Sequence, residues 1–279
     1  MTTNRKNDMI ADKVNLDSAR EYLASAQRWL QEAASLIRET SETDRIVDTK
    51  SNRNDLVTNV DREVEKLIVT RVSEEYGHPV LGEEGDRVSS MKGPVWILDP
   101  IDGTMNFVQA KRDFAIELAL FWDGKPVIGL VFDVGRDELY TAISGHGAWV
   151  NGVEIPKVED DRSRKDILYV AELRELEAVP RFVELVDESR GLRCYGAAAI
   201  DLIQVASGRA GACLLLWLHS WDFAGAMVIC QEVGLAFTRM DGTRINVEET
   251  GTVLTAPPSI HRDIVRFLHR EYRLISPSR

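Results

Sequence analysis

Cysteine is scarce in this chain. Cys194, Cys213 and Cys230 are an odd trio among 279 residues, and no CxxC pairs any two of them. That pattern excludes a disulfide framework and predicts reduced, buried thiols in a reducing compartment. Positive charge is also short: 34 Lys and Arg stand against 45 Asp and Glu, a net charge of -11. With no long basic run there is no nucleic-acid footprint, so no direct nucleic-acid partner is expected. An acidic surface repels anionic substrates as well. A site for phosphate therefore needs local positive charge, and bound cations supply it. No apolar run suits a membrane span, and the opening MTTNRKNDM is polar. The expectation is a cytoplasmic protein without signal peptide or membrane partner, its residues 1–13 a disordered tail.

Several catalytic signatures are missing too. No GxSxG offers a serine nucleophile, and none of the five histidines stands in an HExxH spacing. Gly145, Gly147 and Gly152 do not make a GxGxxG and fall between strands, which excludes a dinucleotide site there. There is no internal repeat and no low-complexity tract.

What remains is a globular composition, 44% hydrophobic and 28% charged, long enough for one large domain or two ordinary ones. The stretch Trp96–Phe107, WILDPIDGTMNF, organises it. An apolar run ended by Pro and Gly reads as a buried strand delivering its C-terminal end to a turn. Asp99 and Asp102 lie on that turn, and Gly103-Thr104 opens a short helix whose first N–H groups have no partner within it. Carboxylates for hard cations then sit beside amides for an anion. In isolation the same string also fits an Asx-type turn with solvated acids. An EF-hand loop fits poorly, since Gly103 falls one place early and the twelfth position is Ala110.

Along the chain, Leu16, Ala19, Leu23, Ala26, Leu30, Ala34 and Ile37 mark an amphipathic helix. A polar loop holding Lys50 follows. Thr58 with Asp61 three residues on resembles a capping box that opens a second helix. Gly82-Glu83-Glu84-Gly85 reads as a turn after a short apolar run. From Phe114 to Ile155, apolar runs alternate with short turns, ending on Asn151-Gly152. Strands so joined are antiparallel, with the two helices on one face. The charged run Glu159–Lys165 marks a boundary, beyond which strands and helices alternate. There Trp221-Asp222-Phe223-Ala224-Gly225-Ala226 leads into a helix, and an ordinary N-cap is one reading of Asp222.

Five acids thus stand at element termini: Asp61, Glu83, Asp99, Asp102 and Asp222. Such a cluster repels itself unless cations intervene. Magnesium suits it, and a pair of such ions can hold the attacking and leaving oxygens of a phosphoryl transfer.

The strings K-x4-D-L-V-T-x-x-D from Lys50 to Asp61, G-E-E at Gly82–Glu84, D-P-I-D-G-T at Asp99–Thr104 and W-D-x-A-G-A at Trp221–Ala226 resemble the inositol monophosphatase family, in its order. So does G-x-G-A-x-x-N-G at Gly145–Gly152. The resemblance implies a layered α-β-α-β-α sandwich, α+β in residues 14–156 and α/β in residues 157–279. It implies a magnesium-dependent, lithium-sensitive phosphomonoesterase acting on inositol monophosphate or related polyol, sugar or nucleotide phosphates, and commonly a homodimer. Glu83, Asp99 and the Ile101 carbonyl would hold a first magnesium; Asp99, Asp102 and Asp222 a second; a weaker third would sit near Glu83. Glu83 and Thr104 would activate water, with Asp61 orienting the Thr104 hydroxyl. Gly103 and Thr104 amides would bind phosphate, and Gly196, Ala197 and Ala198 would line the substrate side. One departure stands out. Leu215 occupies the place, six residues before the tryptophan, of a glutamate that meets inositol hydroxyls in the animal enzymes. Some members of the family are RNA-polymerase-associated factors, so a regulatory protein-interaction role on the same fold is the alternative.

Overall fold

A computed structural model describes residues 13–40, 47–49, 56–85, 88, 90–172, 177–179 and 181–269. Residues 1–12 of the expected tail, and Lys50, lie outside the described residues. The elements begin with α1 (Leu16–Glu39), β1 (Val47–Thr49), β2 (Leu56–Thr58), α2 (Asn59–Tyr76), β3 (Val80–Gly82), β4 (Pro94–Asp102) and α3 (Thr104–Gln109). Strands β5 (Ala115–Trp122), β6 (Lys125–Asp133), β7 (Glu138–Ile143), β8 (Gly147–Val150) and β9 (Val153–Glu154) follow. The remainder comprises β10 (Tyr169–Val170), α4 (Phe182–Asp187), β11 (Leu192–Arg193), α5 (Ala198–Ala206), β12 (Ala212–Leu218), α6 (Ala224–Glu232), β13 (Ala236–Thr238), β14 (Gly251–Ala256) and α7 (Pro258–His269).

Seven strands, in the order β3-β4-β5-β6-β7-β8-β9, make the larger sheet. Alternation along each strand sends side chains to opposite faces. On one face Trp96, Leu98, Leu118 and Leu120 pack against Trp29, Leu30, Val64 and Ile68 of α1 and α2. On the other, Val95, Ile97, Ala119 and Phe121 meet Ile200, Ile203, Val228 and Ile229 of α5 and α6. The far side of those two helices packs on Cys213, Leu215 and Val253 of a five-stranded sheet, ordered β11-β10-β12-β14-β13. Beneath that sheet, Tyr169, Leu214 and Leu254 cover Phe182, Leu185, Ile260 and Ile264 of α4 and α7. The layers therefore run α-β-α-β-α. Each large apolar side chain buried in them contributes about 1.5–3 kcal/mol relative to an exposed one.

Two expectations change. The larger sheet carries helices on both faces, because α5 and α6 return to it from distant sequence. It is also mixed, since β3 pairs parallel to β4. Being covered on both sides, its strands read as continuous apolar runs instead of an alternating pattern. Of the thiols, Cys213 and Cys230 are buried and Cys194 is exposed.

Helix α6 lies unusually close to the sheet. A Cβ on Gly225 would fall 2.5 Å from the Leu130 carbonyl oxygen, and one on Gly129 would fall 2.4 Å from that of Gly225. Glycine at both positions lets the backbones touch.

Candidate active site

β4 and β5 pair antiparallel from Pro94 opposite Trp122 to Asp99 opposite Glu117, then slip before Asp102 opposite Ala115. The irregularity falls on Pro100 and Ile101, between the two acids. Asp99 Oδ1 accepts the Ile101 N–H at 3.0 Å, an Asx-type turn that fixes the strand end. Asp99 and Asp102 are both buried, 2% and 8% exposed. Gly103 follows with φ 83° and caps α3 from the left-handed region. A Cβ there would lie 2.7 Å from Ala197 Cβ, so a side chain is excluded twice over, by conformation and by contact.

Thr104, the first residue of α3, shares its hydroxyl between Asp61 Oδ1 at 3.2 Å and the Ile101 carbonyl at 3.0 Å. Asp61 belongs to the start of α2 and is fully buried. Its Oδ2 accepts the Thr58 N–H at 2.9 Å and the Thr58 hydroxyl at 2.5 Å, while Thr58 Oγ1 accepts the Val60 and Asp61 N–H groups. The capping box is thus real. It coexists with the Thr104 contact, because one carboxylate oxygen serves the cap and the other faces Thr104. Burial raises the Asp61 pKa; the Thr58 and Thr104 hydrogen bonds oppose it.

The two central helices start without help from their own cap residues. Neither Ala197, before α5, nor Phe223, before α6, makes a side-chain cap bond. Carboxylates from the larger sheet do that work. Asp102 Oδ1 and Oδ2 accept the Ala198 and Ala199 N–H groups at 3.1 and 2.7 Å. Glu117 Oε1 accepts those of Gly225 and Ala226 at 2.6 and 2.9 Å. Asp222 is therefore not the N-cap of α6. Its Oδ2 accepts the His219 N–H at 2.7 Å, within the turn that leads to the helix. His219 itself stacks on Trp221 and pairs with Thr250 Oγ1.

Gly196, φ 78°, precedes α5 on the turn that Asn106 ties to α3, its amide donating to the Tyr195 carbonyl at 2.6 Å and the Asp113 carbonyl at 2.8 Å. Glu83 follows β3. The Glu84 N–H donates to Glu65 Oε2 at 2.9 Å, so α2 holds this turn.

The acids feel one another. Burial, then the charges of Glu83, Asp102, Asp222 and Glu117, hold the Asp99 carboxyl well above its ordinary range. Burial pushes Asp102 up to about 7, against the α5 amides that favour its ionised form. Among the described residues no three Asp, Glu, His or Cys side chains converge as a ready metal cage. Asp102 takes two backbone N–H groups, and Asp222 takes that of His219. The chemistry of the set nonetheless fits a hard divalent cation. Glu83, Asp99, Asp102, Asp222 and the Ile101 carbonyl are all oxygen donors, and the repulsion that raises Asp99 is what a cation relieves.

Three features here were not drawn from the sequence. Glu117 hides in the apolar strand AIELALFW, where a lone charge was the available signal. Glu65 and Asn106 look like ordinary helix polar residues. Leu215 is 2% exposed and lies in the interlayer core opposite Val253, so it gives a substrate hydroxyl no acceptor.

The family model described as the inositol monophosphatase family matches residues 18–272. The chain is 42% identical to an inositol-1-monophosphatase of Bacillus subtilis over 253 residues, covering 88% of this chain and 95% of that one. It is 30% identical to the Nus factor SuhB of Salmonella typhimurium over 246 residues, 85% of this chain and 92% of that one. The crystal structure of an IMPase/NADP phosphatase complexed with Mg2+ and phosphate superposes with a TM-score of 0.85 at 28% identity, covering 91% and 97% of the two chains. With this layered frame and these likenesses, the chain is a phosphoric monoester hydrolase. It belongs to the inositol monophosphatase family.

Proposed function

We propose that the chain hydrolyses inositol monophosphate or related small polyol, sugar or nucleotide monophosphates with magnesium, and that it is a cytoplasmic homodimer, the dimer by analogy with its family. The observation that carries the reading is the Asp61–Thr104 hydrogen bond set beside Asp99 and Asp102 at the end of β4. A bare cap or a bare acid turn has no need of the other.

Glu83, Asp99 and the Ile101 carbonyl would hold one magnesium, and Asp99, Asp102 and Asp222 a second, with a weaker third site near Glu83. Bound magnesium neutralises phosphate charge and brings the pKa of water toward neutrality. The chain's own groups do the rest. Gly103 and Thr104 direct backbone N–H groups at the phosphate. Donation of the Thr104 hydroxyl to Asp61 Oδ1 leaves the Thr104 lone pairs free to accept a hydrogen bond from the attacking water and orient it, and the Glu83 carboxylate takes the proton that water gives up. Gly196, Ala197 and Ala198 line the alcohol side. The site joins an N-terminal half, residues 14–156, to a C-terminal half, residues 157–279, which supplies Asp222.

The test is phosphate release from inositol 1-phosphate, glycerol 2-phosphate and a nucleoside 2′-monophosphate, with and without Mg2+. Release is expected only with Mg2+, and millimolar lithium is expected to slow it. Activity that survives extensive chelation overturns the metal reading. Because Leu215 leaves the alcohol without a paired carboxylate, catalytic efficiencies on the three substrates should fall within about 1–3 kcal/mol of one another. A preference of about 10⁴ or more for inositol 1-phosphate means that another polar group reads the ring. The likeness to SuhB supports a regulatory role as the weaker alternative. A chain that releases phosphate from no substrate of the panel under any metal condition would favour it.

A further inference from the structure

The pairing of sheet carboxylates with helix starts divides into two cases. Asp102, which takes the α5 amides, already belongs to the proposed metal set. Glu117, which takes the α6 amides, has no part in the reaction as described. It lies on β5 directly opposite Asp99 in register and is 1% exposed. Its Oε2 is buried without a hydrogen-bond partner. Burying a carboxylate is costly, and an apolar residue would fill this strand position without that cost. Something must offset it.

The offset is at α6. Gly225 and Ala226 are the second and third residues of that helix, and their N–H groups have no acceptor within it. Phe223 offers none, and Asp222 is turned toward His219. Glu117 Oε1 receives both amides. It can reach them because Gly225 and Gly129 let the helix settle onto the sheet, where a Cβ on Gly225 would lie 3.0 Å from Glu117 Cγ. Asp222 stands two residues before α6 begins, so the first turn of the helix sets where its carboxylate stands.

We propose that Glu117 is a positioning residue: a helix cap supplied from the neighbouring strand, which fixes the first turn of α6 and through it the place of Asp222. The inference rests on the reading of Asp222 as a metal ligand at the phosphatase site.

The experiment compares wild type, Glu117→Gln and Glu117→Leu as full-length protein. Three quantities are read: amide hydrogen exchange over residues 222–232, Mg2+ affinity by calorimetry, and kcat and KM separately. Gln keeps the Oε1 acceptor, so Glu117→Gln should stay within about threefold of wild type on every measure. Glu117→Leu removes the acceptor. Its first-turn amides in α6 should exchange about tenfold faster, and Mg2+ affinity and kcat should each fall about 10–100-fold, the scale of outer-shell supports. KM should change little, because no part of Glu117 meets the substrate. A Leu variant with wild-type exchange and wild-type Mg2+ affinity overturns the proposal. So does a Gln variant as impaired as the Leu variant, since the charge and not the acceptor would then matter. If the Leu variant does not fold, the Gln variant decides: native-like exchange and affinity support the cap, and loss of either overturns it. A wild-type protein that binds no Mg2+ and releases no phosphate would sink the hydrolase reading instead. Exchange in α6 still judges the cap in that case.

Discussion

Asp222→Asn is expected to cut turnover by about 10³-fold or more while moving the melting temperature by no more than roughly a few degrees. Two observations separate the effects. The N-terminus of α6 is capped by Glu117, so the helix does not depend on Asp222. Asp222 Oδ2 accepts the His219 N–H, and an asparagine carbonyl can accept it equally. The substitution therefore removes charge with little loss of structure. That charge is what a divalent cation would use, alongside Asp99 and Asp102. A cation's stabilisation of a phosphoryl transition state amounts to several kcal/mol, and every 1.36 kcal/mol is tenfold in rate. Steady-state kinetics at saturating Mg2+, paired with a thermal melt, checks both halves. Near-normal turnover would reduce Asp222 to a turn residue, and a large fall in melting temperature would show that it supports the fold after all.

The sequence made some of this site legible and hid the rest for identifiable reasons. Asp99, Asp102, Gly103 and Thr104 were legible because turn chemistry is local: an apolar run, Pro100 and Gly103 mark the strand end without any knowledge of neighbours. Asp61 was legible as a cap for the same reason, through Thr58 three residues earlier. Its second contact, to Thr104, crosses 43 residues and has no local signature. The service that Asp102 renders to α5 spans 96 and 97 residues, and that of Glu117 to α6 spans 108 and 109. No period of two or of 3.6 records such pairings. Glu117 was further masked by its strand, whose two buried faces remove the alternation that exposes an odd residue. The layer order was hidden likewise. α5 and α6 are apolar on most of their surface because sheets cover them on both sides, and a helix apolar all round does not say which sheet it meets.

Thr104→Ala is expected to lower kcat by about 10²–10⁴-fold, the range of positioned proton transfer. Inorganic phosphate affinity should change much less, because the residue 104 backbone N–H is retained. Asp61→Asn tests the same pair from the other side. In wild type both Asp61 oxygens accept: Oδ2 from Thr58 and Oδ1 from Thr104. An asparagine keeps one acceptor, and the two Thr58 donors claim it. The remaining position becomes an NH2 donor facing Thr104, so the hydroxyl must accept there. One of its two lone pairs is then taken by the asparagine and its proton turns to the Ile101 carbonyl, so the lone pair that wild type offers to water is redirected. The Asp61→Asn variant should therefore approach Thr104→Ala in kcat, and the double variant should be little worse than either single one, since both break one hydrogen bond. The start of α2 is also affected, and a weakened cap costs about 1 kcal/mol. That cost appears in the melting temperature of Asp61→Asn and not of Thr104→Ala. If Asp61→Asn loses stability alone and turns over normally, Asp61 is a helix cap and Thr104 acts without it.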